Sequence, residues 1–143
     1  MLIEEILKDK GGKVTTIDAG ETLAAAAHLL DTKRIGAVVA VSEDSGLAGV
    51  LSERDIVRQV ARQGASGLQM TVGDAMTRGV ITASPGETIE RCLTRMTDRR
   101  IRHLPVVQDG KLTGIVSIGD LVKWKIDSVL AEAEAMTAYI KGG

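Results

Sequence analysis

The feature that most constrains this chain is an internal repeat. Residues 14–22 reappear as residues 80–88, and after a one-residue gap residues 47–57 align with residues 112–122. Similarity sustained over this length indicates two copies of one structural unit. The most specific matches are a glycine, a serine and an aspartate at the same spacing in each copy: Gly49, Ser52 and Asp55, then Gly114, Ser117 and Asp120.

The repeat sets the expected domain organisation. A chain of 143 residues holds the two copies as one small module with little left over for a catalytic domain. Residues 63–67, with their glycines and serine, are typical of a linker. We therefore predict a first repeat with a leading helix over 1–66, and a second repeat with an extended C-terminal helix over 67–143.

Each copy is predicted to fold as a β-α-β-β-α unit in the α/β (α+β) class. Apolar residues at helical spacing predict helices from the Gly-Glu-Thr sequences at 20–22 and 86–88 to about residues 33 and 99. Paired strands are predicted at 37–42 with 47–51 and at 103–107 with 111–116, and second helices begin at Ser52 and Ser117. Short strands near Thr16 and Thr82 complete the units.

Two features of the second copy depart from this simple pattern. Pro105 lies inside an apolar strand, a position typical of a sheet edge or a bulge. The last helix is predicted over about 118–140, and its part beyond Lys125 has no counterpart in the first copy. That overhang needs a surface to pack on, either the N-terminal helix or a partner chain.

Composition and charge exclude several functions. The chain has one Trp, one Tyr and no Phe, and its formal net charge is −1. Without aromatic platforms or a basic surface, nucleic-acid binding is not expected. One cysteine and two histidines give no recognisable metal-ligand spacing, and Cys92 lies on an apolar helix face. No nucleophile–base constellation can be drawn, so we do not expect an enzyme.

The location is also bounded by the sequence. The first five residues carry two acids where a signal peptide would have basic and apolar residues. No stretch approaches the roughly 18 apolar residues of a membrane span. We expect a cytoplasmic protein that does not bind membranes.

The serine–aspartate pairs permit two interpretations. Each pair lies at a predicted helix start, where an ionised aspartate can accept hydrogen bonds from two adjacent hydroxyls, such as a ribose diol. The glycine before it would let a strand end approach the ligand closely. Serine at the N-cap with an acid three residues on is also a helix-capping device, without any ligand. The same residues can do both.

Basic residues mark the second copy as different from the first. Arg99, Arg100, Arg102 and His103 crowd between helix and strand, and Arg102 and His103 are placed to contact a phosphate. The first copy offers Arg54, next to Asp55, as its phosphate candidate. The two ligand sites are therefore expected to be chemically unequal.

These motifs resemble those of a tandem pair of cystathionine β-synthase (CBS) domains, also called a Bateman module. The resemblance rests on residues 49–55 and 114–120, on Arg102–Val107 and on residues 84–88, and it spans roughly residues 3–125. It implies two repeats packed about a pseudo-twofold axis, association into a homodimer, and adenosine-containing ligands such as AMP, ADP, ATP, NAD(H) or S-adenosylmethionine in clefts between the repeats. No catalytic cofactor is required.

The expected function is thus a non-enzymatic regulatory sensor that binds an adenine nucleotide and signals to a separate effector protein. The alternative is a structural or protein-interaction dimer whose ligand clefts are vestigial. Aliphatic side chains around Val38 and Leu104, rather than aromatic rings, would contact the base. The complete set of ligand-binding candidates is Thr16, Ala37, Val38, Ser52, Arg54, Asp55, Thr82, Arg102, His103, Leu104, Pro105, Ser117 and Asp120.

Overall fold

Helices and short strands alternate along the chain in the order that the repeat predicts, and the α+β class is confirmed. The computed structural model describes residues 1–11, 14–42 and 46–142. Its elements are α1 (Ile3–Lys10), β1 (Thr16–Asp18), α2 (Leu23–Lys33), β2 (Ala37–Val41), β3 (Leu47–Ser52), α3 (Glu53–Gln63), a 3₁₀ helix (Gly64–Gln69), α4 (Val72–Ala75), α5 (Ile89–Arg99), β4 (His103–Gln108), β5 (Lys111–Ser117) and α6 (Ile118–Gly142).

The chain divides into two compact units. A short helix precedes each repeat, α1 before the first and α4 before the second, and we call each of these helices the lead of its repeat. Each lead belongs to the unit built from the other repeat. The contiguous unit is formed by residues 13–81, and the split unit by residues 1–12 together with 82–143. The helix that precedes the first repeat therefore completes the unit built from the second, and α4 completes the first. The division between compact units falls elsewhere than the division between sequence copies, which we place at residues 66 and 67.

The contiguous unit contains a three-stranded sheet. β1 pairs in parallel with β2, and β2 pairs antiparallel with β3. The sequence of β2 is a continuous apolar run, and its first four residues are buried. This pattern suits a central strand covered on both faces. The core around it is aliphatic, built from Ile17, Leu23, Ala26, Leu30, Val38, Ala40, Leu51, Ile56, Val72 and Met76.

The split unit contains a two-stranded antiparallel sheet, β4 with β5. The short strand predicted near Thr82 is reduced to one parallel bridge between Ala83 and Val106. It ends there because the Ser84 N–H donates to Glu87 Oε1 at 2.9 Å, and Pro85 has no N–H to donate. Pro105 is accommodated in β4 because this strand has a full partner on one side only.

The leading segments are held by backbone hydrogen bonds and apolar contacts. In the split unit, Ile3 and Ile6 of α1 are fully buried, and the Ile3 N–H donates to the carbonyl of Glu87 at 2.9 Å. In the contiguous unit, the Val72 N–H donates to the carbonyl of Glu21 at 2.7 Å, and Val72 is fully buried. Both leads therefore contribute core residues.

Residues 63–67, predicted as a linker, are exposed up to Ser66, and Gly67 is buried. They lead from α3 directly into the 3₁₀ helix (Gly64–Gln69) within the contiguous unit. A Cβ on Gly67 would lie 2.7 Å from the carbonyl oxygen of Gln59, so glycine is required for this close approach. Glycine here permits compact packing rather than flexibility.

Helix starts follow the sequence signals closely. Thr22 and Thr88 cap α2 and α5, and their hydroxyls accept hydrogen bonds from the N–H groups of Ala25 and Arg91 at 3.1 and 3.2 Å. The helix α6 runs to Gly142, slightly beyond the predicted end. Among the described residues, no helix is long and apolar enough to cross a membrane.

Candidate functional site

Ser52 and Asp55 lie together where β3 ends and α3 begins. The Ser52 N–H donates to Asp55 Oδ2 at 2.9 Å, and the Asp55 N–H donates to Ser52 Oγ at 3.3 Å. These reciprocal bonds form a capping box, in which each residue satisfies a backbone N–H at the helix start. The capping interpretation of this pair is confirmed.

The carboxylate of Asp55 is buried, with only 7 % of the residue exposed. Its second oxygen, Oδ1, accepts a hydrogen bond from Arg58 Nη1 at 3.3 Å. Arg58 lies three residues along the same helix, and its side chain is 52 % exposed. A long bond to a half-exposed guanidinium leaves Oδ1 able to accept a further hydrogen bond. Arg54, the sequence candidate, is exposed beside it.

Ser117 and Asp120 repeat the arrangement where β5 ends and α6 begins. The Ser117 N–H donates to Asp120 Oδ2 at 2.9 Å, and the Asp120 N–H donates to Ser117 Oγ at 3.1 Å. Here a lysine is added, because Lys10 Nζ from α1 lies 2.6 Å from Asp120 Oδ2. The same ammonium group donates to the carbonyl of Ile115 at 3.0 Å.

The lysine gives the two carboxylates different electrostatic environments. Burial raises the pKa of Asp120, but the hydrogen bonds from Lys10 and from the Ser117 N–H outweigh that effect, and the net pKa is lowered. Asp120 is therefore ionised at neutral pH and already paired with a cation. Asp55 is paired with an arginine of its own helix only.

The start of the preceding strand lies beside each serine–aspartate pair. In the contiguous unit Ala37 pairs with Ser52 across the sheet, and the Glu53 N–H donates to the carbonyl of Gly36 at 3.0 Å. In the split unit His103 pairs with Ser117, and the Ile118 N–H donates to the carbonyl of Arg102 at 2.8 Å. The structure thus brings together Ala37, Ser52 and Asp55 in one unit and Arg102, His103, Ser117 and Asp120 in the other.

Other predicted site residues lie in different surroundings. The side chains of Val38 and Leu104 are buried in the cores, at 1 % and 0 % exposure, and Pro105 is buried as well. Thr16 is exposed and lines a shallow depression of about 440 Å³ with residues that include Asp18 and His28. Ser52 and Asp55 do not line that depression.

Thr82 is fixed by a salt bridge that the sequence analysis missed. Its carbonyl accepts a hydrogen bond from Arg95 Nη1 at 3.1 Å, and Arg95 also pairs with Glu87. The hydrogen bond from Arg95 lowers the pKa of Glu87. Glu87 in turn accepts from the Ser84 N–H. The loop around Thr82 is therefore held in place by the hydrogen bonds of Arg95 and Glu87 to its backbone.

The two motif glycines accommodate the leading segments. A Cβ on Gly114 would lie 2.5 Å from Leu7 Cδ2, and a Cβ on Gly49 would lie 2.6 Å from the carbonyl oxygen of Thr77 and 2.7 Å from Met76 Sδ. The expectation that these glycines admit a ligand is not supported, because protein atoms occupy the space next to them. The close approach of the segment around α1 to Gly114, and of the segment after α4 to Gly49, explains why each copy has a glycine at this position.

Arg58 and Lys10 are the contacts of the aspartates that the sequence analysis did not find. The spacing of three residues from Asp55 to Arg58 could have identified Arg58, since residues at this spacing are neighbours on a helix surface. Arg54, adjacent in sequence, is exposed. No local pattern could have identified Lys10, which is 110 residues from Asp120 in sequence.

The described residues contain no cluster of three or more His, Cys, Asp or Glu side chains that could hold a metal ion. Cys92 is fully buried, and burial raises the pKa of its thiol, as expected for a core residue.

Comparison with known proteins decides the family. The family model of the CBS domain matches residues 3–62 and 72–127, once for each repeat. The chain belongs to the CBS domain family. Among curated CBS proteins, it is 36 % identical over 149 aligned residues to the CBS domain-containing protein CBSX3, mitochondrial, of Arabidopsis thaliana, covering 99 % of this chain and 72 % of that protein.

Solved structures of CBS proteins share the fold. A CBS-domain protein from Agrobacterium tumefaciens matches with a TM-score of 0.83 at 40 % identity, covering 85 % of this chain and 91 % of that one. A CBS-domain protein from Pyrobaculum aerophilum in complex with AMP matches with a TM-score of 0.75 at 27 % identity, covering 84 % and 89 %.

A third CBS structure carries two other adenosine compounds. The CBS domain pair of protein MJ0100, in complex with 5′-methylthioadenosine and S-adenosyl-L-methionine, matches with a TM-score of 0.80 at 26 % identity, covering 90 % of this chain and 98 % of that one. Two of the solved CBS structures to which this chain is similar thus hold adenosine compounds.

Proposed function

We propose that this CBS pair is a non-enzymatic sensor that binds an adenosine-containing ligand of the AMP, ATP or NAD(H) class at its serine–aspartate helix starts. The observation that carries the proposal is the recurrence, in both units, of an aspartate at a helix start beside the first residue of a strand. A carboxylate there can accept both hydroxyls of a ribose.

The remaining parts of the site follow from the same geometry. The positive dipole end of each helix favours a phosphate at the helix start. Arg102 and His103 at the start of β4, and Arg54 at the start of α3, supply the cationic side chains for that phosphate. Because the Val38 and Leu104 side chains are buried, we assign recognition of the base to backbone atoms of β2 and β4.

We expect the two sites to differ in affinity, with the Asp55 site stronger for the ribose. Asp120 Oδ2 already accepts hydrogen bonds from Lys10 and from the Ser117 N–H, so a ribose must compete with an ammonium group. At Asp55 the Ser52 N–H occupies Oδ2 in the same way, but the competing cation is the half-exposed Arg58, whose bond to Oδ1 is longer at 3.3 Å. Ligand binding would then favour one arrangement of the protein or of a homodimer. A separate effector protein would bind that arrangement. We take both proteins to be cytoplasmic.

Thermal unfolding with AMP, ATP, NADH and S-adenosylmethionine at millimolar concentration tests the proposal. A ligand at 100 times its Kd should stabilise the fold by about 2.7 kcal/mol, or roughly 5–10 °C in Tm for a chain of this size. We expect Asp55→Ala to remove most of this shift and Asp120→Ala to remove less.

The matched control is Glu53→Ala, which removes an exposed acid from the first turn of α3 without breaking the capping box. It should leave the ligand-induced shift unchanged. Because Asp55→Ala also removes a cap, each variant is compared with its own ligand-free Tm. If no ligand raises the Tm of the natural protein, the sensor proposal fails and the alternative, a structural or interaction dimer with vestigial sites, is favoured. Two observations support that alternative. The serine–aspartate pairs form capping boxes, and protein atoms fill the space next to Gly49 and Gly114.

A further inference from the structure

Lys10 brings a cation from the lead α1 to the Asp120 carboxylate. Its ammonium group donates to Asp120 Oδ2 at 2.6 Å and to the carbonyl of Ile115 at 3.0 Å. The Ser117 N–H donates to the same carboxylate oxygen at 2.9 Å. The side chains of Lys10 and Asp120 are 39 % and 27 % exposed, so the pair is partly shielded from water. The Asp120 site therefore contains its own counter-ion before any ligand binds.

The segment that packs on the other unit has no lysine at the corresponding position. Leu7 and Met76 lie against the motif glycines of the two units, so we take their positions as equivalent. Three residues further along the chain are Lys10 in one segment and Gly79 in the other. Arg78, the residue before that glycine, donates to a carbonyl of α4 at 2.9 Å. A lysine paired with the motif aspartate is thus a property of the split unit.

The start of the preceding strand shows the same difference between the units. Arg102 and His103 lie beside the serine–aspartate pair of the split unit, whereas Gly36 and Ala37 lie at the equivalent places in the contiguous unit. Together with Lys10, the split unit has basic residues where the contiguous unit has glycine or alanine. The surroundings of Asp120 therefore favour an anion.

We propose that Lys10 makes the Asp120 site selective for adenosine ligands that carry a phosphate. This selectivity rests on the proposed function, since it assigns a ligand class to one of the two proposed sites. It makes Lys10 a specificity-determining residue. The lysine opposes the binding of a ribose alone and favours the binding of a ribose that brings an anion with it.

The ribose and the lysine compete for one carboxylate oxygen. A ribose that donates both hydroxyls to Asp120 needs Oδ2, which already accepts from Lys10 and from the Ser117 N–H. Because the Lys10 side chain is only 39 % exposed, water can replace its lost carboxylate only in part. Adenosine offers the displaced ammonium no anion. A phosphate on the same ligand offers one, through a charge-assisted hydrogen bond.

The lysine can contact a phosphate without a movement of its helix. Lys10 is the last residue of α1, and its flexible four-carbon side chain lets the ammonium group change partners. The ammonium group also has a third N–H, beyond the two that bind Asp120 and Ile115. A cationic adenosine compound such as S-adenosylmethionine would instead meet a like charge, which is unfavourable.

Isothermal titration calorimetry with adenosine and AMP, which differ by one phosphate, tests the selectivity. In an Asp55→Ala background, which leaves the Asp120 site to be measured, we expect AMP to bind about tenfold more tightly than adenosine. Adding Lys10→Met should weaken AMP binding by about tenfold, the value of one charge-assisted hydrogen bond. The same change should strengthen adenosine binding, because the competing cation is gone.

Opposite changes for the two ligands distinguish this role from a structural one, since damage to the fold would weaken both. Thermal unfolding confirms that each variant is folded. The same titrations of Lys10→Met with Asp55 intact do not depend on the folding of Asp55→Ala. Lys8→Met removes an exposed lysine from the same turn and should change neither affinity. Lys10→Arg keeps a cation and should retain the preference for AMP.

Three results would overturn the selectivity and leave the proposed function standing. They are equal affinities for AMP and adenosine at the Asp120 site, a change in the same direction for both ligands in Lys10→Met, and AMP binding that Asp55→Ala abolishes. Failure of every adenosine compound to bind the natural protein would instead defeat the proposed function, and the selectivity with it.

Discussion

At the scale of single residues, the same motif glycine meets different obstacles in the two units. The atom nearest a Cβ on Gly114 is Leu7 Cδ2, the end of a flexible side chain. Next to Gly49 it is the carbonyl oxygen of Thr77, which accepts from the Val50 N–H at 3.1 Å while the Thr77 N–H donates to the carbonyl of Val50 at 2.9 Å. A side chain can move aside, whereas a bridged backbone cannot do so without losing these bonds.

We therefore predict that Gly49→Ala is more destabilising than Gly114→Ala. Overpacking of this kind costs about 1–3 kcal/mol, and Gly49→Ala should lie at or above the upper end. Urea denaturation of both variants measures the difference. Leu7→Ala should recover part of the loss in Gly114→Ala and none in Gly49→Ala, since Leu7 is next to Gly114 only. Equal losses in both variants, with no coupling to Leu7, would contradict this account.

The ion pair between Lys10 and Asp120 makes a second prediction at this scale. The folded-state pKa of Asp120 is lowered, so the pair contributes stability above the unfolded pKa of about 4, and that contribution is lost as pH falls through the folded pKa. Lys10→Met should cost up to about 1 kcal/mol at pH 7, because both side chains are partly exposed, and the cost should shrink as pH falls below about 4. Urea denaturation across this range provides the measurement.

The control for this prediction is Lys8→Met, which removes a second lysine from the last turn of α1. Both lysines interact with the helix dipole, but Lys10 alone contacts Asp120. Lys8→Met should therefore show no loss concentrated between pH 7 and pH 3. If the two variants have the same pH profile, the ion pair contributes nothing measurable.

At the scale of elements, α2 and α5 end in the same way. Arg34 and Arg100 follow the last turns in the left-handed conformation, with φ of 54° and 55°. This conformation is costly for a residue with a Cβ and favourable for glycine. The helices α2 and α5 are thus alike at both ends: each begins at a threonine cap and ends at an arginine with a strained backbone conformation.

We predict that Arg100→Gly stabilises the protein by about 0.5–1 kcal/mol. Arg99→Gly, one residue earlier at a helical position of α5, should instead destabilise it by about 1 kcal/mol. Thermal and urea unfolding of the two variants provide the comparison. A loss of stability in both would mean that the Arg100 side chain contributes more than its backbone costs.

The elements themselves could be predicted well from the sequence, since their signals are local. The Gly-Glu-Thr sequences, the serine–aspartate pairs and the apolar periods place the helices and strands of both repeats within a few residues of the structure. The length of the strand near Thr82 was overestimated, because its end depends on the Glu87–Arg95 pair. That pair joins the loop before α5 to α5 itself, which a local pattern does not show. The compact 3₁₀ helix in place of a linker likewise depends on the approach of Gly67 to Gln59.

At the scale of the whole molecule, the repeat in the sequence predicted two units but not which segments compose them. A short helix precedes each repeat, α1 or α4, but the sequence carries no information about which core receives it. That choice depends on tertiary contacts such as Leu7 with Gly114 and Met76 with Gly49. For the same reason, only the local part of the candidate site could be predicted from the sequence. Its serine–aspartate pairs are local, whereas Lys10 reaches Asp120 from the opposite end of the chain.

The exchange of leads also sets an order of assembly during synthesis. The contiguous unit, residues 13–81, has all of its chain as soon as Ile81 has left the ribosome. The helix α1 is made before the contiguous unit, whereas the rest of the split unit, in which Ile3 and Ile6 are buried, is translated after it. The helix α1 must therefore remain available, with two apolar residues uncovered, until the rest of its own unit has followed the contiguous unit out of the ribosome.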